Sequence, residues 1–272
     1  MEVQVFPASQ LGKLQELAEA VSLGTIAFSH NTAGGIGSLY EPFGALDTPY
    51  LYRDVDHLMK VTDVSSPVMQ MLNEGLIAAA GVRVIYSHYF GKRNLTCNKE
   101  IRSPADLAGV KIRAVPFPMY TTAVEGMGAV AVPVDWSEVP TALATGVVQG
   151  QENPVNVVLN VKLYEVQKNL MLTGHMTNAE MVVMNESVWQ GLSAAQQAAV
   201  QAAAEATRIK ATKAILDNEE AETQALRDLG MNVIGAEDGL DLEAFRASVS
   251  TLVSERFGER YGEIYDMIGK IA

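Results

Sequence analysis

Strand-like and helical segments alternate along nearly the whole chain, and this pattern restricts the possible folds more than any other feature. Residues 10–23 repeat apolar side chains at helical spacing, whereas residues 82–87 are rich in β-branched and aromatic side chains typical of a strand. Residues 3–6 and 25–29 are also predicted to be strands, and residues 30–37, polar and rich in glycine, a loop. Such alternation predicts a layered α/β fold with mostly parallel sheets.

The carboxyl-terminal part of the chain continues the alternation with longer helices. Residues 194–229 are rich in Ala, Gln, Glu and Lys and predict a helix long enough to break or bend. Residues 232–234 predict a strand, and residues 243–272 an amphipathic helix. No linker or repeat interrupts the chain, which argues against two independent domains in tandem.

The charge of the chain excludes several classes of function. Its 272 residues carry a formal net charge of -12, which repels nucleic acids and anionic lipid heads, so we expect no nucleic-acid partner. No segment approaches the roughly 20 consecutive apolar residues of a membrane span. A site for an anionic ligand would have to be built locally, from a few arginines and backbone N–H groups.

Motifs for metals, cofactors and covalent catalysis are missing from the sequence. The glycine run at residues 34–37 lacks the Lys-Ser/Thr of a phosphate loop, and no G-x-S-x-G motif occurs. Cys97 is the single cysteine, and we interpret it as a small buried hydrophobic residue. Four histidines show none of the helical pair spacings of a zinc site: His30, His57, His88 and His175. The sequence therefore predicts no metal and no cofactor.

Arg113 is the most informative single residue. It lies in the run VKIRAV at residues 110–115, which is predicted to be a buried strand. A buried arginine needs partners for its five N–H donors. The partner is either an internal carboxylate or the carboxylate of a ligand, bound bidentately. The residues alone leave both alternatives open.

Three stretches around Arg113 share a longer pattern. Residues 106–113 read DLAGVKIR, residues 132–154 read VPVDWSEVPTALATGVVQGQENP, and residues 164–168 read YEVQK. Together with FPASQLG at residues 6–12 and LDTPY at residues 46–50, they resemble the DctP-type solute-binding proteins of TRAP transporters. The resemblance covers essentially the whole chain.

The resemblance implies a two-lobed α/β architecture, a class II periplasmic-binding-protein-like fold with crossing segments and a long inter-lobe helix. We expect one lobe from residues 1–90 with about 179–218, and the other from residues 91–178 with about 219–272. The family begins with a signal peptide, a first strand and a first helix. This chain starts at the position of the second strand, so a cleft-lining loop is expected to be missing and ligand binding weakened.

The resemblance also implies the site residues. Arg113 would bind the ligand carboxylate, Arg93 matches a second cleft arginine, and Asn153 an asparagine that adds a hydrogen bond. Trp136 matches an aromatic wall position, and Glu152 is expected to lie beside the cleft. Tyr120 and Asn31 are further candidates for the walls. Arginine, asparagine and tryptophan bind ligands rather than transform them, so we expect a receptor and not an enzyme on the same fold.

The expected ligand is a small organic acid, and the expected partners are the membrane subunits of a TRAP transporter. A periplasmic monomer is implied, and a ligand-binding sensor module is the alternative. With Arg93 as a second positive site, a dicarboxylate, a hydroxy acid and a sugar acid all remain open. Sialic-acid-binding members carry an acid in the loop that reads HNTAG here at residues 30–34, and its absence argues against sialic acid.

Overall fold

The computed structural model describes residues 2–272, whose strands form one mixed sheet in the order β1-β6-β2-β5-β3-β4, with β7 beside β6. The strands are β1 (Phe28–Thr32), β2 (Val82–Cys97), β3 (Lys111–Ala114), β4 (Val130–Pro133), β5 (Gly150–Pro154), β6 (Asn169–Asn185) and β7 (Asn232–Ile234). Three pairings are antiparallel (β1–β6, β2–β6 and β2–β5) and three are parallel. The prediction of mostly parallel sheets was therefore wrong, because the two longest strands run against each other.

These two strands, β2 and β6, divide the sheet into two regions. The first sheet region consists of β1, residues 82–89 of β2 and residues 179–185 of β6. The second sheet region consists of β3, β4, β5 and β7 with residues 93–97 of β2 and 169–176 of β6. Irregular register at Tyr89/Gly91 and Arg93/Leu95 marks the passage between them. Such irregularities bend a strand and change its twist, so the two regions need not be coplanar.

The helices pack on the faces of this sheet. They are α1 (Leu14–Ser22), α2 (Ala33–Gly37), α3 (Val55–Val61), α4 (Pro67–Ala80), α5 (Pro118–Gly126), α6 (Val139–Ala144), α7 (Val155–Asn160), α8 (Glu186–Gly191), α9 (Ala194–Asp228) and α10 (Leu242–Gly269). Most of the buried apolar side chains form one large core, and a second core lies under α6, α7 and the end of α9. None of the helices described is both long and apolar enough to cross a membrane.

The long helix α9 is continuous over 35 residues, so the predicted break is absent. Ser193 caps its amino terminus by accepting a hydrogen bond from the Gln196 N–H, and alanine, glutamine and glutamate favour helix along its length. Arg208 on α9 forms an ion pair with Asp63, beside the first sheet region, whereas Leu226 is buried in the second core. The helix therefore joins both parts of the molecule.

Helix α10 joins them as well. Val249 lies against Gly126 at the end of α5, and Ser248 donates a hydrogen bond to the Gly126 carbonyl. Further along, the Ile268 carbonyl lies 3.2 Å from Nε2 of His57 on α3. Because α9 and α10 each contact both sheet regions, their packing does not mark where one lobe ends and the other begins. The expected lobe boundaries near residues 90, 178 and 218 therefore stay a prediction.

Two local predictions near the amino terminus were wrong. Residues 3–6 form no strand: Val3 and Val5 are 61% and 80% exposed, and no described strand pairs with them. Apolar alternation alone does not make a strand, since its backbone groups need a neighbour. Residues 30–37 are not a loop, because β1 extends to Thr32 and α2 follows. Thr32 caps α2 by accepting the Gly35 N–H at 2.9 Å.

Candidate functional site

Three of the predicted site residues, Arg93, Glu152 and Asn153, lie where β2 and β5 pair, beside β6. Arg93 on β2 is opposite Pro154 of β5 and Met176 of β6, and Asn94 is opposite Asn153. This register places the QENP segment of the sequence motif directly beside the point where β2 passes between the two sheet regions. The predicted site residues of this motif are therefore buried residues of a strand.

Arg93 has an internal partner, Glu152. Its Nε and Nη2 donate to the two carboxylate oxygens of Glu152 at 2.5 and 2.9 Å, a bidentate pair in which both residues are nearly fully buried. His175 Nε2–H donates to Glu152 as well, at 3.2 Å. Burial by itself would raise the pKa of Glu152, but Arg93 and His175 outweigh it and hold this pKa at about 2. Glu152 is thus charged and matches the charge of Arg93.

Arg113 has no such partner. It is 2% exposed in the middle of β3, and its Nε donates to the Val134 carbonyl at 2.8 Å. Neither terminal nitrogen of its guanidinium bonds to a residue within 2–272, and no carboxylate of that range lies within ion-pair distance. Burial lowers the pKa of Arg113 to about 10. The structure therefore contains a buried guanidinium whose outer edge is available to an anion.

Two aromatic side chains accompany the arginines. The guanidinium of Arg113 lies 5.9 Å from the centre of the Trp136 ring, and that of Arg93 lies 5.1 Å from the centre of the Tyr120 ring. Tyr120 is fully buried, whereas Trp136 is partly exposed in a 3₁₀ turn after β4. Each ring thus lies beside one of the two arginines, and the expected roles of Trp136 and Tyr120 as walls of a binding site stay predictions.

The two amide candidates differ in their surroundings. Asn153 is buried on β5 and donates to the Gln151 side chain at 2.5 Å. Gln151 is the residue of β5 that lies opposite Arg113 in the sheet. Asn31 is fully buried and donates to the Leu14 carbonyl at 2.8 Å. The side-chain oxygen of Asn31 meets no hydrogen-bond donor among residues 2–272. Asn31 therefore joins α1 to β1 and shares no hydrogen bond with the two arginines.

Three polar residues that sequence reasoning missed complete the cluster: Asp47, Asn178 and Glu180. Asn178 on β6 accepts from Arg93 Nη1 at 3.3 Å and donates to Asp47 at 3.0 Å and to the Tyr120 hydroxyl at 3.4 Å. Asp47 also accepts the Gly34 N–H at 2.6 Å. The available signal was the polar composition of β6, a long strand that should be apolar if it were only structural.

Asp47 and Glu180 are buried acids. Burial raises the pKa of Asp47 to about 7, and the neighbouring charge of Glu180 adds to this effect. Burial likewise raises the pKa of Glu180 to about 7, although Arg93 opposes the shift. The cluster thus holds two cations, Arg93 and Arg113, with one strongly ionised acid and two acids that titrate near neutrality.

An ion pair lies at the edge of this cluster. Lys13, just before α1, donates to Asp135 at 2.6 Å, and Asp135 directly precedes Trp136. A cavity of about 360 Å³ lies beside this pair, between α1 and the segment that follows β3, and is lined by Lys13, Leu14, Phe117 and Asp135 among others. The Lys13–Asp135 ion pair therefore joins the start of α1, a helix that packs on β1, to the segment that follows β4.

Relatives of known type support these observations. A solute-binding protein of Verminephrobacter eiseniae is 34% identical over 269 residues, covering 96% of this chain and 76% of that protein. The 2,3-diketo-L-gulonate-binding periplasmic protein YiaO of Escherichia coli is 33% identical over 259 residues, covering 94% of this chain and 77% of that protein.

Solved structures show the same architecture. A TRAP periplasmic solute-binding protein from a Polaromonas species, bound to D-erythronate, superposes with a TM-score of 0.90 at 31% identity, over 98% of this chain and 87% of that one. Another from Roseobacter denitrificans, with L-galactonate bound, gives 0.90 at 29% identity and the same coverage. The predicted two-lobed fold is thereby confirmed.

A match at the level of the family covers almost the entire chain. Residues 1–260 fit the DctP family, described as bacterial extracellular solute-binding protein, family 7. The unpaired Arg113, the motif at residues 132–154 and the shared fold all agree with this match. The chain belongs to the DctP family of TRAP-type solute-binding proteins.

Proposed function

We propose that this receptor binds a small organic acid between its lobes, with Arg113 holding the acid's carboxylate, and presents it to the membrane subunits of a TRAP transporter. The observation that carries the proposal is the buried, unpaired guanidinium of Arg113. Leaving a buried cation without a counter-charge is unfavourable, and a ligand carboxylate can accept two parallel N–H bonds from it. Asn153 and Trp136 would border the bound group.

Ligands of the relatives support an acidic ligand. The structures from Polaromonas and Roseobacter denitrificans hold D-erythronate and L-galactonate, and the E. coli relative is named for 2,3-diketo-L-gulonate. All three compounds carry a carboxylate. The relatives are binding proteins rather than enzymes and are named as periplasmic, so we infer that this protein is a non-enzymatic periplasmic receptor. A monomer remains our prediction.

Closure of the lobes around the ligand would follow from differential affinity. A ligand that contacts both lobes only when they are closed shifts the equilibrium toward the closed form by as much as it prefers that form. The Lys13–Asp135 ion pair joins the two sides at the edge of the site and would form on closure. The bound acid would thus be enclosed before delivery.

The test is Arg113→Met, with Arg102→Met as the control because Arg102 is an exposed arginine paired with Glu100. Calorimetry with D-erythronate and L-galactonate should show binding of at least one of these acids by the wild type and the control. Truncating one partner of a buried charge pair costs about 2–5 kcal/mol, so Arg113→Met should lose at least about 30-fold in affinity.

Stability separates a lost contact from a lost fold. Replacing an unpaired buried charge by an apolar side chain of similar length should leave the thermal midpoint of the ligand-free protein unchanged or higher. An Arg113→Met protein that binds acids as tightly as the wild type would show that the carboxylate is held elsewhere.

A further inference from the structure

We infer that Glu180 is a ligand-contacting residue that selects hydroxylated monocarboxylic acids and rejects dicarboxylates. The inference rests on the proposed function, in which Arg113 binds the ligand's single carboxylate. Glu180 would accept hydrogen bonds from hydroxyl groups elsewhere on the same ligand.

The first argument is the unsatisfied state of Glu180. The residue is 5% exposed, yet its carboxylate accepts no hydrogen bond from any residue within 2–272. The nearest basic side chain is His30, whose Nδ1 lies 3.8 Å from one carboxylate oxygen, beyond hydrogen-bond distance, and burial lowers the pKa of His30, which favours its neutral form. Buried acceptors are almost always paired, so donors from outside the protein are expected at this position. A ligand hydroxyl group is such a donor.

The second argument is the position of Glu180 relative to the site. On β6 it lies two residues from Asn178 and therefore on the same face of the sheet. Asn178 bonds to Arg93, Asp47 and Tyr120, so Glu180 borders the cluster that holds both arginines. Glu180 also raises the pKa of Asp47, as close neighbours of like charge do.

The third argument is the balance of charge. A dicarboxylate needs two cations that lack internal partners, and Arg93 is already neutralised by Glu152 in a bidentate pair. Only Arg113 is free of carboxylate partners among the described residues of this cluster. A second ligand carboxylate near Asn178 would instead approach Asp47 and Glu180, neither of which pairs with a lysine or arginine within residues 2–272. Like charges in a buried site repel each other, which opposes binding.

The experiment compares the wild type, Glu180→Ala and Glu180→Gln by calorimetry at about pH 8. The probes are D-erythronate and L-galactonate as hydroxylated monocarboxylates, butyrate as the unsubstituted acid, and succinate and L-malate as dicarboxylates. Glu186→Gln is the control, since Glu186 follows the same strand but pairs with Arg83 away from the cluster. Thermal unfolding verifies that each variant is folded.

We expect the wild type to bind at least one hydroxylated acid more tightly than butyrate and both dicarboxylates. Hydrogen bonds to a charged group are strong, so Glu180→Ala should weaken that binding about tenfold or more while leaving butyrate unchanged. Glu180→Gln keeps an acceptor and removes the charge, so it should raise the affinity for succinate and L-malate relative to the wild type.

Several outcomes would overturn the inference. The first is a wild type that binds succinate or L-malate as tightly as the hydroxylated acids, and the second is a wild type that binds neither hydroxylated acid. The third is a Glu180→Ala variant that loses the same affinity for all the acids. Arg113→Met, measured in parallel, separates this inference from the proposed function. If Arg113→Met loses every acid while Glu180→Ala loses none selectively, Arg113 is the anchor and Glu180 is not a selectivity residue.

Discussion

Arg93 on β2 and Arg113 on β3 lie on the two strands that flank β5, and each faces an aromatic ring, but the two differ in their charged partners. Arg93 is held by both oxygens of Glu152, with His175 behind them. Arg113 has a single hydrogen bond, to a backbone carbonyl, and no carboxylate within ion-pair distance among residues 2–272. Burial acts on both, but it lowers the pKa of Arg113, whereas the Glu152 charge raises that of Arg93.

The difference distinguishes an arginine with an internal partner, Arg93, from the arginine that we propose binds the ligand, Arg113. A buried cation with an internal partner stabilises the protein only as part of its pair, and breaking the pair is costly. A buried cation without one reduces the stability of the empty protein and gains its partner when an anion binds. The molecule thus holds a satisfied charge and an unsatisfied charge on either side of β5, and we propose that the unsatisfied one binds the ligand.

The largest expected effect is on stability, from Glu152→Ala. This change leaves Arg93 buried without its partner, and breaking a buried ion pair in this way costs about 3–5 kcal/mol. Urea unfolding should show a loss of this size. By contrast, Arg113→Met should show none, because no pair is broken.

Arg83 and Glu186 provide the control for this prediction. They form the same bidentate contact, at 2.5 and 2.9 Å, and Arg83 lies over the Trp189 ring as Arg93 lies over Tyr120. Their side chains are 23% and 17% exposed, so water can replace the lost partner. Glu186→Ala should therefore destabilise the protein much less. Equal losses in the two variants would mean that burial does not distinguish the two pairs.

The next effect is the dependence of stability on pH. Asp47 and Glu180 have pKa values of about 7 in the folded protein, against 3.8 and 4.5 ordinarily. As the pH falls from about 7 to about 4.5, the folded state takes up protons that the unfolded chain does not, so these two acids make the free energy of unfolding rise. Below about 4.5, Glu152 remains ionised down to about pH 2 while the unfolded chain is protonated, so its contribution makes stability fall.

Urea unfolding of the ligand-free protein at about pH 8, 5 and 3 measures both slopes. Glu180→Gln should show a smaller rise between about pH 8 and 5 than the wild type, because one of the two protonating groups is removed. The fall toward about pH 3 should be the same in both proteins. A Glu180→Gln profile that parallels the wild type from about pH 8 to 5 would show that Glu180 titrates normally.

The smallest effect concerns the ion pair between Lys13 and Asp135. Both side chains are partly exposed, and such pairs contribute little, so Lys13→Met should raise the ligand dissociation rate by less than about tenfold. The increase should disappear at high salt, which screens the pair in the wild type. Stopped-flow release of the bound acid measures it. Lys213→Met, which removes an exposed pair with Asp217 on α9, is the control and should leave the rate unchanged.

The sequence by itself determined the class of fold and the family, and it singled out Arg113 as the predicted anchor. Alternating helical and strand-like segments are local patterns, and the motif around residues 132–154 is contiguous, so both are visible without the fold. Arg113 was recognisable because an arginine inside an apolar strand requires a partner. Trp136, Asn153 and Glu152 followed from the same motif, and their roles toward a ligand stay predictions.

Only the tertiary structure decided which arginine already has its partner. Glu152 is 59 residues from Arg93 along the chain, and Asp47 is 131 residues from Asn178. The pairing of β2 with β5 and β6 brings these groups together and also made the sheet mixed rather than mostly parallel. Contacts between distant residues depend on strand register and burial, which no local pattern encodes. For this reason the sequence indicated that a carboxylate binds at Arg113, while the neutralised Arg93 and the unpaired Glu180 became apparent only in the folded chain.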